Sequence, residues 1–345
     1  MIFRNVELYN VQEVLECTDR SGYQLSRVPE RVRSRLNRNA QGAALSTSGC
    51  EIRFNMAGDR VKLVLQRDQV PQTGAFGVAE VYYGPFQGHY WLCPFAIGTE
   101  PSEIIIEKPD NLDKLARLAK EQQLPYDPHM IRVILPYDLP HILVDIEGDT
   151  TPPQSGQSPS RRYLAYGSSI THGGSAVRPT GSYAMRLAQK LEADLINLGF
   201  AGSAELDEAA ADYIAERQDW TFATIELGIN VIDKWDTETF ERKVHAFLGK
   251  VGPSHKEKWI FCTDLFMNEK DLEGNPKVKQ FRDIVRLAVE KLDLPKLIYV
   301  PGDELLTCMT GLSADLVHPS EQGFEEIAGR LASIMKERIG EAAEK

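Results

Sequence analysis

Four short stretches carry small, polar and titratable residues of the types that acyl-transfer chemistry needs. YLAYGSSITHGG runs from an apolar segment into Gly167, Ser168, Ser169 and Thr171; NLGFAGSA brings Gly199 and Gly202, ELGIN brings Asn230, and ADLVHPSEQG brings Asp315 and His318. A serine hydroxyl is a weak nucleophile until a base takes its proton, and a histidine serves as that base when a carboxylate fixes its tautomer. Asp315, three residues before His318, stands where it can do so. A tetrahedral intermediate then needs preorganised donors, which loop glycines offer through their N–H groups and an asparagine through its amide. Taken singly, each residue has a plainer role as a turn serine, a loop histidine before Pro319, a turn glycine or a helix cap. Their joint occurrence points to chemistry.

The elements around these stretches explain how they could meet. Apolar runs at RRYLAY, DLINLGF, TFATIEL, WIFCTDL and KLIYVPG alternate with helical segments. In one helix Val278, Phe281, Val285, Ala288 and Leu292 share a face, and in the last Phe324, Ile327, Leu331 and Ile334 do. Strict alternation of strand and helix implies a parallel sheet covered on both sides, whose ligand crevice lies outside the carboxyl ends of the strands. The glycine and serine stretch, the second glycine stretch and ELGIN each follow their own strand, and the Asp and His stretch follows the fifth.

The first half has another rhythm. Ile52, Phe54 and Met56 alternate, AGDR turns the chain, and Val61, Leu63 and Leu65 alternate again, which predicts a hairpin. Strand-like runs at SEIIIEK, IRVILPY and HILVDIEG extend the pattern, with one helical interruption near NLDKLARLAKEQQ. An all-β, jelly-roll-like sandwich is expected over residues 1–150, a Pro, Ser and Gly-rich linker over 151–161, and an α/β domain over 162–345.

These blocks resemble those of the SGNH, or GDSL-like, hydrolases. The first block of that family, usually Gly-Asp-Ser, reads here Gly167-Ser168-Ser169-Ile170-Thr171; the others are Asn197 to Gly202, Gly228-Ile229-Asn230, and Asp315 to His318. The resemblance implies a flavodoxin-like three-layer sandwich with a five-stranded parallel sheet. It implies Ser169 as nucleophile, His318 as base and Asp315 as its orienter, with the Ser169 and Gly202 N–H groups and the Asn230 amide as oxyanion hole. Ser168 departs from the pattern by standing where an aspartate is common. The stretch is not the G-x-S-x-G turn of α/β-hydrolases, because Thr171 occupies the second glycine position. A sandwich ahead of such a domain is similar to the arrangement in carbohydrate esterase family 2 and related sugar deacetylases. A short-chain, acetyl-preferring sugar esterase is therefore expected. A thioesterase or lysophospholipase with the same triad, or a carbohydrate-binding protein without turnover, are the alternatives.

Other signals bound the partners. A net charge of −11 argues against nucleic acid and anionic membranes, which attract basic surfaces. The five cysteines are scattered without CxxC spacing, and His89, His129 and His141 show no metal-ligand spacing, so neither a metal nor another cofactor is expected. A cytoplasmic location fits the absence of a basic and apolar leader, and a homo-oligomer is left open. His172 and Asp264 are further candidates for the substrate pocket, and the aromatic run VYYGPFQGHYW, residues 81–91, reads mainly as sandwich core.

Overall fold

Unbroken apolar runs become the strands of the second half because both faces of a parallel sheet are buried. In the computed structural model, which describes residues 1–69, 76–90 and 93–343, these runs form the strands Arg162–Gly167, Asp194–Gly199, Phe222–Glu226, Trp259–Thr263 and Leu297–Val300. All pair in parallel, in the spatial order second, first, third, fourth, fifth. Phe240, Phe247, Phe281 and Val285 cover one face, and Tyr183, Leu187, Phe324 and Leu331 cover the other. The order reverses between the first and third strands, so the crevice opens above their carboxyl ends. The expected three-layer α/β architecture is the observed one.

Two antiparallel sheets make up the first half. In one, Arg60–Arg67 lies between Ser102–Glu107 and His141–Glu147; in the other, Met130–Ile134 lies between Glu51–Met56 and Gly77–Tyr83. The expected hairpin is not formed. Glu51–Met56 and Arg60–Arg67 belong to different sheets, and the turn between them carries the chain across the sandwich. Alternation reports which face is buried and not which strand lies alongside, and Ile52, Phe54, Val61, Leu63 and Leu65 do share one core. The helical interruption is present as Leu112–Glu121. In the aromatic run Tyr82 and Tyr83 are buried, Tyr90 is exposed, and Trp91 lies outside the described residues.

The boundary between the halves is less sharp than composition implies. Thr150–Thr151 still pairs with Glu51–Met56, and the Asn55 amide donates to the Pro152 carbonyl at 3.0 Å and to Gln157 Oε1 at 2.9 Å, which binds the linker to the sandwich. Two short helices, Glu30–Arg33 and Arg38–Ala43, leave the sandwich altogether. Val28, Val32, Leu36, Ala40 and Ala44 enter the core of the parallel domain beside Tyr166 and Leu198.

A buried ionic seam joins the halves elsewhere. Arg53 donates to both Asp194 oxygens, at 3.0 and 2.8 Å, and to Glu51 Oε2 at 2.8 Å, while Arg132 grips Glu51 from the other side at 2.8 and 2.6 Å. The Tyr126 hydroxyl donates to Asp194 at 2.5 Å, and the Tyr9 ring lies 3.7 Å from the Arg53 guanidinium. Burial opposes the Glu51 charge, but the two arginines outweigh it and hold that carboxyl well below the usual range. Removing one partner of such a group strands the others in low dielectric. Arg53→Met should therefore lower stability in urea by about 3–5 kcal/mol; a loss below about 1 kcal/mol would show that the seam is relaxed by water.

Candidate active site

The first parallel strand ends at Gly167, and Ser168 caps the four-residue helix Ser169–His172 by accepting the Ile170 N–H at 3.1 Å. This puts Ser169, half-buried, at the crevice. His318 arrives from a loop behind the fifth strand, with Nε2 2.7 Å from Ser169 Oγ and Nδ1 2.7 Å from Asp315 Oδ2. A carboxylate accepts only, so Nδ1 carries the proton and donates it to Asp315, leaving Nε2 to accept from the serine. Asp315 Oδ1 is held in turn by the N–H groups of Val317 and His318, both at 2.9 Å, and by the Ser313 hydroxyl at 2.8 Å. Burial works against its charge, but these donors together hold the carboxyl well below the usual range. The turn between the two residues puts Leu316 at φ 56°, a left-handed position that a bulky residue adopts only under constraint.

The glycine and asparagine blocks follow the second and third parallel strands, which flank the strand that ends before Ser169. Gly202 has φ +66°, a conformation natural to glycine, and no atom lies within 4 Å of where a Cβ would stand. Asn230 Oδ1 accepts the Ala204 N–H at 3.0 Å, which fixes the amide and leaves Nδ2 as its donor. Asn197 joins the second strand to the Ser169–His172 helix, donating to the Thr171 carbonyl at 2.9 Å and accepting the Gly199 N–H at 2.8 Å.

The remaining two candidates stand elsewhere. His172 is buried, with Nδ1 2.9 Å from the Gly199 carbonyl and Nε2 2.7 Å from the Tyr137 carbonyl. Burial and the neighbouring Arg27 cation lower its pKa to about 4, so the ring is neutral and its single N–H serves one of the two carbonyls. Asp264 is buried at the end of the fourth strand, accepting the Gly302 N–H at 2.8 Å and the Tyr299 hydroxyl. It orients that turn and does not touch His318.

Sequence reasoning passed over Glu226, although it lies inside ELGIN's own strand. Buried at the end of the third strand, its Oε2 accepts from the Ser168 N–H at 2.7 Å, the Ser168 hydroxyl at 2.8 Å and the Thr171 hydroxyl at 2.9 Å. A Cβ on Gly167 would collide with Glu226 and Thr171, which is why glycine precedes the two serines. Burial pushes the Glu226 carboxyl up, and the Ser168 and Thr171 donors pull it back. A carboxylate in an otherwise apolar strand was the available signal.

Residues 160–336 match the family model described as GDSL-like lipase/acylhydrolase. The chain belongs to the GDSL-like lipase/acylhydrolase family. It is by that membership an ester hydrolase of the acylhydrolase type. No curated protein matches it. Among solved structures, a salicylyl-acyltransferase from a tetracycline biosynthetic pathway superposes with TM-score 0.75 at 14% identity, over 99% of this chain and 95% of that one. A family two carbohydrate esterase from Clostridium thermocellum, in complex with cellohexaose, gives 0.60 at 15% identity over 86% and 94%. An acetyl xylan esterase from Butyrivibrio proteoclasticus gives 0.55 at 12% over 97% and 99%. At these identities the likeness is one of fold, and it spans the sandwich as well as this family's domain.

Two substitutions probe the supports of the site. Glu226→Ala leaves the buried Ser168 N–H and hydroxyl without their acceptor, at about 1–3 kcal/mol each before relaxation; urea stability should fall by at least ~2 kcal/mol, and kcat should fall more than KM rises. Unchanged kcat would mean that the turn around Ser169 holds its shape without this acceptor. Asp264 reads out in pH. Its pKa rises from 3.8 to about 6, chiefly by burial, so the native state keeps a proton that the unfolded chain has released and stability drops as pH rises between those values. Asp264→Asn should abolish that slope, worth up to about 3 kcal/mol, in urea titrations across the window; an identical slope in both proteins would reject the assignment.

Proposed function

We propose that the protein is a serine esterase that removes a short acyl group, chiefly acetyl, from a sugar or small oligosaccharide. The observation that carries this reading is the continuous Ser169, His318 and Asp315 chain, with 2.7 Å at both links. In the first half-reaction Ser169 Oγ bonds to the ester carbonyl carbon while its proton passes to His318 Nε2. The oxyanion takes hydrogen bonds from the Ser169 and Gly202 N–H groups and from Asn230 Nδ2. The carbon–oxygen bond to the alcohol breaks as the imidazolium returns the proton to the departing oxygen. Water then attacks the acyl-enzyme, giving its proton to His318, and Ser169 recovers a proton as the carboxylic acid leaves. Asp315, held ionised by its donors, stabilises the imidazolium in both halves.

The sugar assignment draws support from two fold neighbours, the carbohydrate esterase in complex with cellohexaose and the acetyl xylan esterase, whose fold the chain shares over both its halves. With p-nitrophenyl acetate, butyrate and octanoate, wild type should turn over acetate best. Ser169→Ala should lose at least ~1,000-fold in kcat, and Asn230→Ala about 100- to 1,000-fold. A Ser169→Ala enzyme with full activity would reject the nucleophile, and activity confined to octanoate would reject the short-acyl reading.

A further inference from the structure

Ser169 follows the first parallel strand and His318 the fifth, and two strands lie between these in the sheet. At the usual strand spacing that is about 14 Å of lateral distance, so the sheet by itself does not set the 2.7 Å link between the two side chains. Segment 173–177 touches both. The Ser169 carbonyl accepts the N–H groups of Gly173 and Gly174 at 2.9 and 2.7 Å. A Cβ on Gly174 would stand 3.2 Å from His318 Cδ2 and 3.3 Å from Ser169 Cβ, closer than a methyl group sits without displacing one of them. The Gly174 backbone lies outside the left-handed region, so space and not conformation calls for glycine here. The far end of the segment returns to the His318 side. Val177 N–H donates to Glu321 Oε1 at 2.8 Å, three residues beyond His318, and Arg186 grips the other oxygen of that carboxylate at 2.5 Å.

What shapes this segment comes from the other half of the chain. Ser175 is held at φ 75°, a left-handed conformation that a residue other than glycine keeps where its surroundings impose it. Tyr137, in the loop between the sandwich strands Met130–Ile134 and His141–Glu147, supplies that constraint. Its hydroxyl donates to the Ala176 carbonyl at 2.8 Å, and its ring lies against Gly173, where a Cβ would meet Tyr137 Cγ at 3.4 Å. Its own carbonyl stands 2.7 Å from His172 Nε2. One sandwich residue thus bears on the helix that begins with Ser169 and on the turn that leaves it. Proton transfer from Ser169 to His318 requires hydrogen-bond reach between them, so whatever seats Gly174 against the pair bears on the chemical step.

We infer that Tyr137 is a positioning residue for the reaction, acting through segment 173–177 on the separation of Ser169 Oγ and His318 Nε2. The inference rests on the reading of Ser169 as nucleophile and His318 as base, and adds to it the sandwich residue that governs their alignment. Full-length wild type, Ser169→Ala, Tyr137→Phe and Gly174→Ala are compared in p-nitrophenyl acetate hydrolysis and in the rate at which a fluorophosphonate modifies the protein. The low-field proton resonance of His318 Nδ1–H, in its bond to Asp315, is followed by NMR. Tyr137→Phe removes the hydroxyl and keeps the ring against Gly173; Gly174→Ala presses a methyl group onto the pair. In Tyr137→Phe kcat should fall about 3- to 10-fold and in Gly174→Ala about 10- to 100-fold, with KM unchanged and the modification rate falling in parallel. The low-field resonance should persist in both, because Asp315 and His318 meet within their own loop. Unchanged kcat and modification rates in both variants would overturn the inference and leave the esterase reading standing. So would a fall in kcat matched by a rise in KM or by loss of the low-field resonance, since general disruption of the site then explains it. A Ser169→Ala protein that hydrolyses the ester and takes up the fluorophosphonate as wild type does would reject the nucleophile itself, and the inference with it.

Discussion

The buried guanidinium of Arg27 is the constraint on which the site depends. It reaches out of the first domain and, with no carboxylate to meet it among the described residues, donates to the carbonyl oxygens of Ala43, Ser46, Asn197 and Gly199 at 2.5 to 2.9 Å. Burial lowers its pKa to about 10, so it stays charged at neutral pH. A buried cation is tolerable only while every N–H finds an oxygen, and these oxygens converge only when both domains are folded and docked. Two of them belong to the end of the second parallel strand, from which the chain continues to Gly202. The position of a proposed oxyanion donor is thus set from the other domain.

The same dependence recurs around Ser169. Ser48 donates to the His172 carbonyl, the Tyr137 carbonyl meets His172 Nε2, and the Asn37 amide donates to the Ser203 carbonyl at 2.9 Å and to Asp207 at 2.7 Å. Each contact joins a first-domain residue to one of the loops that border the crevice. Glu226 completes the support from below. The family pattern commonly has an aspartate where Ser168 stands; here a carboxylate comes from the neighbouring strand and takes both the Ser168 N–H and its hydroxyl. Ser168 then caps the helix that begins with Ser169, so one small side chain serves the strand behind it and the helix ahead.

The parallel domain was legible in the sequence because its strands are continuous apolar runs and each block of polar residues follows directly on one of them. Asp315 and His318 were legible for a local reason, since three residues of one turn bring carboxylate and imidazole together. What could not be read depends on long-range pairing. The alternation at Ile52 to Leu65 reports a shared core and is silent about which strands are neighbours. Arg27, Arg53 and Glu226 are charged residues that a burial argument places outside, and only their partners, up to 172 residues distant, reverse that expectation. The helices Glu30–Arg33 and Arg38–Ala43 are too short for periodicity to stand out, although Val28, Val32, Leu36, Ala40 and Ala44 recur every fourth position.

Those five residues also decide what the structural unit is. They pack in the same cluster as Tyr166, Leu198 and Phe247, so part of the hydrophobic core of the hydrolase domain is supplied by chain that precedes the sandwich's own central strands. A cut at the linker would strip that apolar surface from the parallel domain and leave the Asn197 and Gly199 carbonyls without their cation. Sequence composition marks a boundary near residue 151, but the energetic boundary does not follow it. The sandwich is therefore a structural part of the site, since loops that border the crevice are pinned by hydrogen bonds from the neighbouring domain.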